Sequence, residues 1–389
     1  MCELIINYIG SLSSPPKHPD IMLKKKHSIK AIAKDLNISP TTVSFVLNGK
    51  ATQNRISQRM IEKVLAHVDQ IGYRPSQLAK SLRTGRSSII AFMVEDISNP
   101  FFAYIAKSIE EKAFLEGYKV IYCSTNNDPD KTSNLVRMLS DLQVDGYIIT
   151  PPERMNSKVV KELCDSGKPV ILFDRYLPDV DCSHVVIDNF QATALGLDLL
   201  TAKGLKKTGF ITLDSDQSQM QDRLAAYHHC CAVNGVERRI LKIPFSSATS
   251  EVAGVLMQEF FMAHLDLEAV FFTTNYLAMT GIHMLKQLGI KIPDDLAVIA
   301  FDDNEFFKFN NPSITSIVQP KEEIADHVVK IMFEMLTAGH TTPNHQKVVL
   351  PAILIRREST KIASTTFSEN VEVPHDVLLP SHSPSLNPL

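Results

Sequence analysis

The chain predicts an N-terminal all-α helix-turn-helix head followed by an α/β core of two doubly wound parallel-sheet lobes. Three observations carry that expectation. The length, 389 residues, exceeds one ordinary domain and leaves room for two or three folding units. Residues 28–68 read as three short helices packed close together in sequence. From Ser88 onward, near-continuous apolar runs alternate with amphipathic stretches, the pattern of parallel strands covered by helices on both faces.

In the head, Ile29, Ile32, Ala33 and Leu36 fall at i, i+3, i+4 and i+7, which makes one helical face. Asn37 follows, a residue type that tolerates the left-handed backbone of a tight turn. Ser39 is placed to cap a second helix and Pro40 to occupy its first position, because proline lacks only an N–H that would be unpaired there. The inward stripe of that helix is Val43, Val46 and Leu47, and Ser57 caps a third helix that would bury Ile61, Val64, Leu65 and Val68. Subtracting the second helix's inward stripe leaves Thr41, Phe45 and Asn48 on its outer face, with Ser44 beside them. Such a helix can enter the major groove of DNA, where threonine reads base edges or a thymine methyl. Phe45 is open to two readings, apolar contact with thymine methyls or packing on the third helix.

Charge supports a polyanion partner. The whole chain carries a formal charge of -3, yet residues 1–86 hold 14 Lys and Arg against 5 Asp and Glu, and the rest holds 26 against 38. A small, strongly basic module beside an acidic body is the electrostatic footprint of phosphate binding.

In the core, apolar runs begin near residues 88, 119, 147, 169, 208, 240, 269 and 297. Some 270 residues are too many for one hydrophobic core, so two lobes are expected. The runs end in polar residues: VED at 94–96, STNN at 124–127, FDR at 173–175, LDSD at 213–216, TTN at 273–275 and FDD at 301–303. Ligands of open α/β sheets bind beyond the carboxyl ends of strands, so these residues are expected to line a polar cleft.

Composition excludes several classes. With 44% hydrophobic and 21% charged residues the chain is globular, and no apolar run approaches the roughly 20 residues needed to cross a bilayer. The start, MCELIINYIGSL, lacks the basic region of a secretory signal. Cysteines at 2, 123, 164, 182, 230 and 231 form no CxxC pair, which argues against a zinc module and for a reducing, cytoplasmic setting. His228 and His229 adjoin Cys230 and Cys231, but consecutive helical residues diverge, so no metal is expected. No phosphate-loop, dinucleotide, zinc-protease or serine-hydrolase motif occurs, and no cofactor is expected. Asp174, Asp302 and Asp303 are the acids a sugar-modifying enzyme would use, at no diagnostic spacing.

SIKAIAKDLNISPTTVSFVLNGK (Ser28–Lys50) and IGYRPSQLAKSLRTGRSSIIAFMVEDISNPFF (Ile71–Phe102) resemble the LacI/GalR family of bacterial transcription regulators, over about residues 24–358. The resemblance implies a homodimeric cytoplasmic repressor with a periplasmic-binding-protein-like core, a sugar or sugar derivative as effector, and a pseudopalindromic double-stranded operator. It implies DNA contacts from Ser28, Ser39, Pro40, Thr41, Thr42, Ser44, Phe45 and Asn48, although the family commonly has Arg where this chain has Phe45. In the linker PSQLAKSLRTGR (Pro75–Arg86) it implies that Leu82 wedges into the minor groove, with Lys80, Arg83 and Arg86 on phosphates. In the cleft it implies effector contacts from Arg223, Asn275 and Asp302, stacking by Phe101 and Phe102, and further contacts from Gln219 and Phe245. A sugar-binding transport protein or a sugar-modifying enzyme on the same core is the alternative, though the former would lack the basic head. The expected organisation is an extension at 1–23, a head at 24–74, a hinge at 75–87, a core at 88–360 and a flexible tail at 361–389. Within the core, about 88–187 plus 318–346 would form the N lobe and about 188–317 plus 347–360 the C lobe.

Overall fold

The computed structural model describes residues 28–73, 85–338 and 345–361, and these fall into two compact units that divide between Gly85 and Arg86. The N-terminal extension, Lys80, Leu82 and Arg83 of the linker, and the tail beyond Lys361 lie outside the described residues.

The first unit contains α1 (Ile29–Leu36), α2 (Pro40–Leu47) and α3 (Gln58–Gln70). Ser28 Oγ accepts from the Ala31 amide at 3.2 Å and Ser39 Oγ from the Thr42 amide at 3.0 Å, so both helices begin on the hydroxyl caps that serine supplies. Asn37 adopts φ 54° and turns the chain from α1 into α2. Ile32, Ala33, Leu36, Val43, Val46, Ala51 and Val64 are buried together. Leu65, expected inside, is instead 48% exposed. Val64 is the fully buried residue of α3, with Met60, Ile61 and Val68 partly buried around it, and Leu65 stands about 100° around the helix from Val64.

Among its described residues the second unit holds twelve strands in two sheets. The N-lobe sheet has the order β11-β5-β4-β3-β1-β2, with all pairs parallel. Its strands are β1 (Ile89–Val94), β2 (Lys119–Ser124), β3 (Gly146–Ile149), β4 (Val170–Phe173), β5 (Ser183–Ile187) and β11 (Lys347–Leu350). The C-lobe sheet has the order β12-β10-β9-β8-β6-β7, parallel except for the antiparallel edge strand β12. Its strands are β6 (Thr208–Asp214), β7 (Arg239–Pro244), β8 (Ala269–Phe272), β9 (Ala297–Phe301), β10 (Thr315–Val318) and β12 (Ile353–Ile355). The central strands β3, β4, β8 and β9 are buried at every position, because helices cover both faces.

The helices that matter for the cleft are α4 (Pro100–Leu115), α7 (Asn189–Ala202), α8 (Ser218–Asn234), α10 (Asn275–Gln287) and α12 (Lys321–Ala338). Between them in chain order lie α5 (Pro129–Asp141), α6 (Ser157–Asp165), α9 (Glu251–Ala263) and α11 (Glu305–Phe309). The chain crosses between lobes three times: at Asp188, at Gln319-Pro320, and at Pro351-Ala352. The last crossing comes later than the expected boundary after residue 346. Lys347–Leu350 pairs in parallel with β5 and so belongs to the N lobe.

Candidate functional site

In the head, the outer face of α2 is open. Thr41 and Asn48 are exposed, while Thr42, Ser44 and Phe45 are half-buried. Phe45 is half-buried and is not among the hydrophobic side chains packed on the head's buried cluster. Several expected DNA contacts also have local duties. The Ser28 and Ser39 hydroxyls cap their helices, the Ser39 hydroxyl also meets that of Thr42 at 2.9 Å, and the Asn48 amide donates to the Ser44 carbonyl at 2.6 Å.

In the core, the carboxyl ends of strands from both lobes enclose a cavity of about 40 Å³. Two aspartates reach it by the same device. Asp174 follows β4 at φ 69° and its amide donates to the Val185 carbonyl, and Asp302 follows β9 at φ 65° and its amide donates to that of Ile317. The left-handed conformation suits aspartate better than most residues and turns each carboxyl off the strand end.

Arg223 projects from α8 and is 2% exposed. Its Nε donates to Asn189 Oδ1 at 2.9 Å, its Nη1 donates to the Thr273 carbonyl, and its guanidinium lies 3.5 Å from the centre of the Phe301 ring. Burial pulls its pKa down, with Asp302 and Asp174 opposing that pull. Asp302 accepts a hydrogen bond from Gln319 Nε2 at 2.6 Å. Burial raises the Asp302 carboxyl, opposed by Arg223 and Gln319. Arg223 and Asp302 both belong to the C lobe, so they do not form an ion pair between lobes.

The N lobe supplies a second charged group. Arg175, 3% exposed, donates from Nη2 to Glu95 Oε2 at 2.7 Å, and its Nε lies 3.3 Å from Asp174 Oδ2. Burial raises the Glu95 and Asp174 carboxyls in spite of Arg175, while Glu95 and Asp174 together keep Arg175 above its ordinary value against the opposing effect of burial. Tyr276 of α10 also faces the cavity, and burial pushes its phenol far above its usual range.

Of the residues expected to touch an effector, Phe101, Phe102, Gln219, Arg223 and Asp302 line this cavity. Asn275 and Phe245 do not. Asn275 Nδ2 donates across the cleft to Asn99 Oδ1 at 3.1 Å, and Phe245 packs against the hydrophobic core of the C lobe. Two further bonds join the lobes, from Gln217 Nε2 to Asn127 Oδ1 at 2.9 Å and from the Tyr176 amide to Ser218 Oγ at 3.3 Å. Phe102 meets Phe173 edge to face at 6.0 Å between centres, so it is part of the wall as much as a stacking surface. Sequence reasoning missed Asn189, Gln319 and Tyr276 as site groups. It reached Glu95 and Arg175 only as members of the strand-end runs VED and FDR.

Asp303 points elsewhere. Arg357 grips its carboxylate at 2.7 and 2.9 Å, and Ser316 donates to it at 2.7 Å. Burial tends to raise its pKa, but these bonds outweigh that and leave it lowered.

Two family models match the chain: that for bacterial regulatory proteins of the lacI family at residues 28–76, and that for a periplasmic binding protein-like domain at residues 197–360. The transcriptional regulator DegA of Bacillus subtilis (strain 168) is 30% identical over 350 residues, which span 87% of this chain and 100% of DegA. The chain belongs to the LacI family of bacterial regulatory proteins. This LacI-family regulator shares its fold with the Lac repressor dimer bound to operator and an anti-inducer (TM-score 0.73, 18% identity, 86% of this chain and 99% of that one). It shares it also with a CelR–cellobiose complex (TM-score 0.62, 22% identity, 86% and 99%). No helix among the described residues is long and apolar enough to cross a membrane.

Proposed function

We propose that this LacI-family regulator is a sequence-specific repressor of carbohydrate-utilisation genes that acts in the bacterial cytoplasm as a homodimer on a pseudopalindromic operator. A sugar-like effector held between the core lobes sets its operator affinity. One observation carries the reading: a single chain joins a head whose α2 presents Thr41, Ser44 and Phe45 outward to a cleft where Arg223 and Asp302 oppose Arg175 and Asp174. A guanidinium fork and a carboxylate pair with the adjacent hydroxyls of a sugar, and a groove-reading helix gives the binding its address. Cellobiose in the CelR complex supports the class of effector.

The cleft binds without turnover in this reading. Asp303 is occupied by Arg357, and Asp174 and Asp302 each sit beside a guanidinium rather than forming an acid–base pair. Effector and operator act on each other by linkage, so an effector that weakens operator binding must itself bind less tightly to the operator complex.

The test is a gel shift with the region upstream of the protein's own gene, titrated with sugars at fixed salt. Asp302→Ala is expected to retain operator binding and to lose the sugar response. Retained response in that variant, or no salt-sensitive preference of the wild type for any duplex over random competitor, refutes the reading.

A further inference from the structure

Among the described residues Cys123, Cys164, Cys182, Cys230 and Cys231 are free thiols, and one pair of them is set apart from the rest. Cys164 stands in the last turn of α6 and Cys182 immediately precedes β5, so the segment between them carries the whole of β4. Both belong to the apolar cluster under α5 and α6: Cys182 is 1% exposed within it, and Cys164 packs against it half-buried. The two thiols are hydrogen-bonded to each other. By contrast, Cys230 and Cys231 follow one another on α8, so their side chains diverge by about 100°. Burial raises the Cys123 and Cys231 thiols and keeps them protonated.

A thiol becomes a nucleophile by ionising, and a redox-active one also needs access to solvent and a second thiol that resolves it. Cys164 meets these conditions. The hydrogen bond from Cys182 lowers its pKa, against the opposing effects of burial, Asp165 and Asp181. The same bond raises Cys182, and burial adds to it, so Cys182 holds its proton while Cys164 reacts. While Cys164 is protonated, the Cys182 thiol has the Val170 carbonyl at 3.3 Å as its acceptor. Asp165 and Asp181 are exposed beside the pair, which favours a neutral oxidant over an anionic one such as a glutathione disulfide.

We propose that Cys164 is a site of oxidative modification by peroxide and that Cys182 resolves it to an intrachain disulfide. The Cys164 thiolate attacks one oxygen of hydrogen peroxide, the O–O bond breaks and hydroxide leaves; the sulfur is oxidised to a sulfenic acid and the peroxide is reduced. The hydroxide and the proton first released by Cys164 make one water. The Cys182 sulfur then displaces the sulfenic hydroxyl, which leaves with the Cys182 proton as a second water, and the S–S bond forms. The product ties the end of α6 to the entry of β5, the strand that runs into the first crossing between lobes at Asp188, and uses no residue that lines the cleft cavity.

The test exposes the reduced full chain to hydrogen peroxide, blocks the remaining thiols with iodoacetamide under denaturing conditions, and digests with trypsin without reductant. Cleavage after Arg175 separates Cys164 from Cys182, so only a disulfide keeps their peptides joined. The expected product is that joined pair, lighter than the two free peptides by two hydrogens, released by dithiothreitol and absent from Cys164→Ser. In Cys182→Ala a dimedone adduct is expected at Cys164, at least about tenfold above that at Cys123, Cys230 or Cys231. Oxidation of those three ahead of Cys164, or a Cys164 that stays reduced or passes to sulfinic acid with no joined pair, overturns the inference. A disulfide that links two chains in place of the intrachain one overturns it as well. If Cys182→Ala does not fold, the wild-type digest and the iodoacetamide rates of the native thiols at neutral pH decide the matter, with Cys164 expected to react fastest.

Discussion

Replacing Asn275 by aspartate tests whether the hydrogen bonds across the cleft hold the two core lobes together. Asn99 Oδ1 accepts from the Phe101 amide at 3.0 Å as the cap of α4, which fixes that oxygen in place, and it also accepts from Asn275 Nδ2 at 3.1 Å. Asn275→Asp removes the donor and sets a carboxylate oxygen against the capping oxygen. The lost bond is worth about 0.5–1.5 kcal/mol, and repulsion between two acceptors adds to it. A total of about 1–3 kcal/mol shifts the closed-to-open ratio by roughly 5–150-fold. Asn99→Asp is the control, because aspartate caps α4 equally well and still accepts from Asn275. Hydrogen exchange followed by mass spectrometry on peptides spanning residues 95–102 and 273–277 reads the difference. Exchange is expected to accelerate in Asn275→Asp and to stay at the wild-type rate or slow in Asn99→Asp. Equal rates in all three proteins, or equal acceleration in both variants, refute the claim that this bond latches the lobes.

Asp303→Asn breaks a largely buried bidentate pair with Arg357, and a denaturant titration at neutral pH is expected to show a loss of about 3 kcal/mol. The sign with pH follows from the lowered pKa of Asp303: its stabilisation is complete above the unfolded carboxyl value near 4 and fades as pH falls through the folded value, so the variant and wild type should converge in acid. A difference that grows on acidification contradicts the assignment. Gly281→Ala would set a Cβ 2.2 Å from the ring of Phe272, so a cost of about 1–3 kcal/mol is expected in the same assay, and an unchanged midpoint would mean that the ring has room to move. Ser39→Ala removes the cap of α2 and should cost the head about 1 kcal/mol, visible as a lower melting midpoint of its helical circular dichroism signal. Because the chain contains no Trp, Tyr276→Trp places a sole indole in the cleft, and its emission should shift on addition of a binding sugar; a silent indole beside calorimetrically detected binding would put the ligand elsewhere.

Much of the architecture was legible because strand and helix periods alternate cleanly through most of the core. β5 and β10–β12 escaped that pattern. β5 follows β4 after nine residues with no helix between them, and β11 and β12 are edge strands of four and three residues whose partial exposure breaks any continuous apolar run. The cleft was legible at Asp302 from the strand-end run FDD, and at Arg223 only through the family resemblance, because Arg223 lies within a helix and not at the end of an apolar run. What joins those positions was not. Arg175 and Glu95 lie 80 residues apart, and Gln217 and Asn127 lie 90 apart, so their pairing exists only once the sheets have formed. Asn275 shows the limit most clearly: its residue type and its place at the start of α10 suit ligand contact, yet Asn99 claims its amide.

The hydrogen bonds from Arg223 to Asn189 and from Gln319 to Asp302 tie sensing to pivoting. Asn189 stands at the first crossing between lobes and Gln319 at the second, so each C-lobe charge shares a proton with a segment that must bend when the lobes part. A guest that draws on either charge slackens the pivot at the same moment. Taste for a particular guest and resting posture are therefore set by the same atoms, and altering one of these charges to admit a new guest should also reset how far apart the empty lobes rest.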